Sequence, residues 1–115
     1  MGHPFTRQNA LFFVAMLACC APAQAVDLEA ARALAGGRNS CLKCHDEGRD
    51  ATPFKKIANK YRNDPQVEAK LIKHLTSNPE VTFLDGTKDE HKNVRTVPAD
   101  DVAQIKNLIQ WVLTH

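Results

Sequence analysis

Two cysteines and a histidine lie within five residues of each other, in the run Cys41-Leu-Lys-Cys44-His45. A redox dithiol uses C-x-x-C with one thiol of lowered pKa, usually within a βαβ unit. A zinc site needs four ligands, commonly from two such pairs. Covalent attachment of a c-type haem needs two thiols that reach two vinyl groups of one porphyrin, with a histidine directly after the second thiol to bind the iron. A structural disulfide is the remaining alternative.

The start of the chain has the pattern of an export signal. Arg7 makes it basic, and the apolar run over residues 10–21 is too short to span a bilayer as a stable anchor. Ala23-Gln24-Ala25 follows, which is the small-x-small pattern that signal peptidase cuts. We predict a cleaved signal peptide over residues 1–25, a single domain over residues 26–115, and a periplasmic protein. A buried N-terminal helix is the alternative.

Cleavage changes which cysteines matter. Cys19 and Cys20 leave with the signal, unless Cys19 is itself lipidated, for which the preceding residues are a poor match. Cys41 and Cys44 then remain in a compartment where thiols oxidise unless they are used. No βαβ pattern supports a redox dithiol, and a zinc site would need His45 plus a further histidine. Covalent haem is therefore the favoured chemistry, with a disulfide as the alternative.

The charge balance argues against nucleic acid as a partner. Arg7 is the only one of the 15 basic residues within the signal, so 14 basic and 13 acidic residues remain. A nucleic-acid binder shows a strong basic excess. We predict no nucleic-acid binding and no membrane insertion after cleavage. A domain of this size is also near the limit at which a core alone is sufficient, so a disulfide, a metal or a cofactor is expected to contribute to its stability.

Apolar residues recur with helical spacing through the mature chain, which predicts an all-α fold. Glycine, proline and asparagine separate the segments. Residues 79–97 show no clear hydrophobic periodicity and no predicted strand. A connection this long is either functional or an ordinary flexible surface loop. The predicted helical segments are residues 26–37, 52–64, 65–78 and 98–115, and the last carries an apolar stripe of Val102, Ile105, Leu108, Ile109 and Val112 with Trp111 and Leu113 beside it.

Three stretches resemble the small class I bacterial cytochromes c. "NSCLKCH" is similar to the haem-attachment site that follows the family's first helix, and "TPFKKIANKYRND" is similar to the helix after that site. "VAQIKNLIQWVL" resembles the family's C-terminal helix. The resemblance covers nearly the whole mature chain. It implies terminal helices that cross and shorter helices around one haem.

The resemblance also implies roles for individual residues. Cys41 and Cys44 would form thioethers to one covalent haem c, and His45 would be the proximal iron ligand. Pro53 matches the family proline whose carbonyl accepts a hydrogen bond from that histidine, which fixes the ring. This chain has Thr52 where the family often has glycine, so the loop path is expected to differ slightly.

The second axial ligand departs from the family pattern. The family uses a methionine before the last helix, but Met1 and Met16 both lie in the signal. The candidates are His74, His91 and His115, or no ligand at all. His74 is expected to be a half-buried helix residue, and His115 to be frayed at the chain end. His91 lies about where the family's methionine would come, so we predict His91 as the distal iron ligand.

These observations predict a periplasmic monohaem c-type cytochrome that carries single electrons between transient redox partner proteins. No acid–base pair or nucleophile constellation indicates an enzyme. Imidazole in place of a thioether should lower the potential, because Met/His ligation raises it. The alternative is a haem-based gas-binding, ligand-binding or sensor protein with a labile or open sixth position.

Overall fold

The computed structural model describes residue 2, residues 25–46 and residues 50–115. The predicted signal peptide therefore lies outside the described residues, apart from residues 2 and 25. The rest of the chain is mostly helical, which confirms the predicted fold class. Within the described ranges, no helix combines the length and apolarity needed to cross a bilayer. The elements in order are α1 (Leu28–Gly36), α2 (Cys41–His45), α3 (Phe54–Tyr61), α4 (Val67–Thr76), β1 (Glu80–Thr82), β2 (Lys88–Glu90) and α5 (Val102–Leu113).

The ends of the two terminal helices follow from local chemistry. The side chain of Asp27 accepts a hydrogen bond from the Ala30 N–H and begins α1, and Asp101 begins α5 in the same way. The Gly37 N–H donates to the Ala33 carbonyl and ends α1. A Cβ at Gly37 would lie 3.1 Å from that carbonyl oxygen, so a larger residue would crowd this helix end.

The core forms where α5 packs against α1 and α3. Ala31 and Ala35 are almost fully buried on α1, and their small side chains let α5 approach closely. Two details of the predicted α5 stripe are wrong: Val102 is 51% exposed, whereas Trp111 is buried. Trp111 lies inside because α5 contacts helices on two sides, which widens its buried face. The buried apolar residues are Ala31, Ala35, Phe54, Ala58, Ile105, Leu108, Ile109, Trp111 and Val112.

A hairpin occupies the connection between α4 and α5, where no strand was predicted. β1 and β2 pair antiparallel over three residues each. Such short, mostly exposed strands show no alternation from which a sequence pattern could be recognised. Gly86 adopts a φ of +89° in the turn, which a glycine reaches without strain. The Leu84 N–H donates to the Asp50 carbonyl, so the hairpin is tied to the segment after α2.

Candidate functional site

The predicted attachment residues share one turn of helix. Cys41, Cys44 and His45 lie on α2 at positions i, i+3 and i+4, which places all three on one face. Both thiols are half-buried and free, so they form no disulfide with each other. Burial raises the pKa of the Cys41 thiol, and the nearby Cys44 raises it further. Two free thiols and an imidazole therefore point in one direction from a five-residue element.

The loop after α2 holds the ring of His45. Its Nδ1 lies 2.8 Å from the carbonyl oxygen of Thr52. A carbonyl only accepts, so Nδ1 donates and Nε2 keeps its lone pair. The sequence predicts the Pro53 carbonyl as the acceptor of this hydrogen bond. The structure shows that the acceptor is the carbonyl of the preceding residue, Thr52. Pro53 is the N-cap of α3, and its carbonyl accepts from the N–H groups of Lys56 and Ile57 instead.

An aromatic side chain supports the same ring from its face. Phe54 stacks on His45 with ring centroids 5.1 Å apart and planes inclined by 18°. Trp111 packs edge-on against Phe54 at 5.3 Å. The core therefore extends directly to the histidine of the attachment motif. Nothing in the spacing of these residues indicated that Phe54 would contact His45.

The base of the hairpin positions His91, which is half-buried directly after β2. Its backbone N–H donates to the Pro79 carbonyl at 2.8 Å, just before β1. Its Nδ1 donates to the Lys92 carbonyl at 2.9 Å, so the Nε2 of this ring is also a free acceptor. The backbone and the side chain of His91 are thus both fixed by hydrogen bonds to carbonyl groups.

The fold brings the rings of His45 and His91 close together. Their ring centroids are 6.1 Å apart and their planes are inclined by 44°. Metal–imidazole bonds are about 2 Å long and the nitrogen lies about 1 Å from the ring centre, so two imidazoles on opposite sides of one metal have centroids about 6 Å apart. Both Nδ1 atoms donate to carbonyls, the arrangement that prepares histidines to bind metal through Nε2. These residues fit a haem iron, with Cys41 and Cys44 as the attachment thiols.

His74, the next candidate ligand, lies beside His91. His74 is on α4, and its ring centroid is 4.6 Å from that of His91. Burial lowers the pKa of His74, and the proximity of His91 and His45 lowers it further. Burial also lowers the pKa of His91. Both shifts favour the neutral imidazole, which is the form that binds metals.

The last candidate, His115, belongs to a different part of the molecule. Its ring packs edge-on against Trp111 at 4.7 Å and its Nδ1 contacts the carbonyl oxygens of Trp111 and Val112. These contacts hold the terminal residue against α5, so the expectation of a frayed end is wrong. The ring of His115 also contacts Phe54, with centroids 5.4 Å apart, and Phe54 in turn stacks on His45.

The comparison with solved structures found a clear similarity between this chain and a known protein. The chain is 46% identical to a class 1 cytochrome, MtoD, from Sideroxydans lithotrophicus ES-1, with a TM-score of 0.70. The match covers 78% of this chain and 97% of that one. The comparison with protein-family models gave no match, and neither did the comparison with curated proteins.

Proposed function

The chain belongs to the class 1 cytochromes c, and we propose that it is a periplasmic electron carrier with one haem c, whose iron is bound by His45 and His91. Membership of this family makes it an electron carrier rather than an enzyme and implies a covalently bound haem c. The observation that carries the finer assignment is the proximity of the two imidazoles, whose ring centroids are 6.1 Å apart and whose Nδ1 atoms both donate to carbonyls.

Each residue of the site then has a defined part. When bound, the haem supplies a one-electron iron couple. Cys41 and Cys44 would hold it covalently, the Thr52 carbonyl orients His45, and the base of the hairpin positions His91 as the second residue that would bind the iron. Because imidazole replaces the thioether that raises the potential of Met/His cytochromes, we expect a lower potential for this protein.

The fixed position of His91 favours electron transfer over ligand binding. A gas-binding or sensor protein needs an open or labile sixth position. His91 is instead half-buried and held at its backbone N–H by Pro79 and at Nδ1 by Lys92. A second histidine ligand would suit a carrier, because an iron with all its ligands in place would change little in geometry when its oxidation state changes.

The periplasmic location and the partners rest on the sequence. The signal pattern over residues 1–25 supports export, and the near-zero net charge gives no support to nucleic-acid binding. We propose transient encounters with redox proteins, which use small contact areas. The mass and N-terminal sequence of the purified protein test the export signal: the chain should begin at Val26, and a lipid-bearing N-terminus at Cys19 would contradict the proposal.

Two measurements test the haem site. Haem should stay with the denatured wild-type chain through acid–acetone extraction, and replacing Cys41 and Cys44 together by alanine should release it. Extraction of haem from the wild type would refute covalent attachment. Separately, the ferrous protein should bind carbon monoxide slowly. A high-spin ferric spectrum with fast carbon monoxide binding in the wild type would replace the carrier by the ligand-binding alternative.

The assignment of His91 is tested with His74 already removed, because His74 is the neighbouring imidazole. His74→Ala should keep the low-spin ferric electron paramagnetic resonance (EPR) signal of two imidazole ligands. The double variant His74→Ala/His91→Ala should be high-spin. A double variant that remains low-spin with the wild-type signal would show that His91 is not the ligand.

A further inference from the structure

His74 has no assigned role, although it lies next to the proposed distal ligand. Its centroid is 4.6 Å from that of His91. Among residues 25–46 and 50–115, no hydrogen bond is made by either ring nitrogen of His74, although the ring is half-buried. An imidazole with two unengaged nitrogens beside a proposed metal site has the chemistry of a ligand.

The two histidines are kept close by the backbone. The Val94 N–H donates to the carbonyl of Leu75, which directly follows His74 on α4. The Asn78 N–H donates to the side chain of Asn93 at 2.8 Å. These bonds lay the segment after His91 against the C-terminal end of α4. To reach the place of the His91 ring, the His74 ring must move by about 4.6 Å, which is within the range of a change of side-chain rotamer.

The elements that carry the two histidines differ in stability. His91 follows a hairpin with three-residue strands, and a two-stranded hairpin of this kind is only marginally stable by itself. His74 lies in the ten-residue helix α4, which packs against α5 and is joined to it by the Lys106–Glu68 ion pair. A rare opening of the hairpin, which breaks the bond that otherwise holds His91 to Pro79, would therefore withdraw His91 while His74 stays in place.

We propose, on the basis of the function assigned above, that His74 is a reserve axial ligand that binds the iron when His91 leaves it. The exchange breaks one iron–nitrogen bond to His91 and forms one to His74, with no electron or proton transferred. His91 is preferred because its Nδ1 donates to a carbonyl, whereas His74 has no such partner within the described residues. Loss of a supporting hydrogen bond of this type costs about 10- to 100-fold in metal affinity.

The experiment compares His91→Ala with the double variant His74→Ala/His91→Ala, both as haem-loaded proteins. Ferric EPR spectra and the rate of carbon monoxide binding to the ferrous form are recorded. His91→Ala should remain low-spin with shifted g values, and it should bind carbon monoxide at least about 10-fold more slowly than the high-spin double variant. His91→Ala/His115→Ala is the matched control and should behave as His91→Ala does, since the ring of His115 packs on Phe54 and Trp111.

The outcomes separate this proposal from the function on which it rests. If His91→Ala is high-spin and binds carbon monoxide as fast as the double variant, the reserve role is refuted, while His91 remains the ligand. If His74→Ala alone is high-spin, the assignment of His91 itself fails. His91→Leu, which fills the half-buried position with an apolar side chain, repeats the comparison should His91→Ala not retain the helical circular dichroism of the wild type.

Discussion

Replacing Asn39 by alanine should remove the bridge that joins the start of the attachment motif to the loop after His91. Asn39 lies two residues before Cys41. Its Nδ2 donates to the Leu34 carbonyl at 2.9 Å and to the Arg95 carbonyl at 3.0 Å, and its Oδ1 accepts from the Arg95 N–H at 2.6 Å. One side chain therefore satisfies three backbone groups on two segments that are distant in sequence.

The magnitude follows from these bonds. A hydrogen bond contributes about 0.5–1.5 kcal/mol net, which sums to between about 1.5 and 4.5 kcal/mol for three. The two bonds to Arg95 are exposed and water replaces them in part, whereas the bond to Leu34 is partly buried. We therefore expect Asn39→Ala to lower the free energy of unfolding by about 2 kcal/mol. For a domain of this size that corresponds to a fall in Tm of about 10 °C.

Guanidinium unfolding of the haem-loaded protein, followed by far-UV circular dichroism and by haem absorbance, measures this loss. Asn59→Ala is the matched control, because Asn59 is exposed and accepts only a 3.3 Å bond from Arg62; it should change the free energy of unfolding by less than about 0.5 kcal/mol. Asn39→Asp should be no better than Asn39→Ala, since a carboxylate cannot donate to the two carbonyls. The reasoning is refuted if Asn39→Ala unfolds like the control.

Three further expectations concern the core, a helix cap and the proximal ring. Ile109→Ala should cost about 2–5 kcal/mol of stability in denaturant unfolding because Ile109 is 1% exposed, whereas the half-exposed Val102→Ala should cost far less; equal losses would contradict this. Hydrogen bonds from the side chain and the backbone N–H of Gln104 lower the pKa of the Asp101 carboxyl, so its stabilising effect is present at neutral pH and lost as the pH falls through that lowered value. Thermal unfolding of Asp101→Ala should therefore differ from wild type at pH 7 and converge with it in strong acid; a constant difference would be inconsistent. Phe54→Leu should broaden the low-spin EPR lines because the stacked support of His45 is lost, and unchanged lines would count against that support.

The helices and the attachment motif could be predicted because both depend on short-range chemistry. The C-x-x-C-H spacing puts Cys41, Cys44 and His45 on one face of any helical turn, whatever surrounds it. α1 and α5 begin after Asp27 and Asp101, because each aspartate side chain accepts a hydrogen bond from a backbone N–H three residues later. The spacing of α5 placed Ile105, Leu108, Ile109 and Val112 on its apolar stripe, and all four are buried.

The sequence predicted neither the hairpin nor the carbonyl that accepts the hydrogen bond from His45. β1 and β2 are short, exposed and charged, so pairing between them leaves no hydrophobic pattern. Which carbonyl faces the Nδ1 of His45 depends on where α3 takes its first hydrogen bonds. Since the Pro53 carbonyl accepts those, the acceptor is the carbonyl of Thr52.

By itself the sequence determined the residues of the proposed attachment motif, because covalent attachment needs only residues that are neighbours along the chain. It also reduced the distal ligand to a small set of histidines, since no methionine follows Met16. Only the tertiary structure decided that the ring centroid of His91 lies 6.1 Å from that of His45 and that His74 stands beside His91. The Pro79 carbonyl accepts from the His91 N–H and the Leu75 carbonyl accepts from the Val94 N–H, and these bonds bring His91 and His74 together. Each bond joins residues more than ten positions apart, and contacts between such distant residues leave no periodic pattern in a sequence.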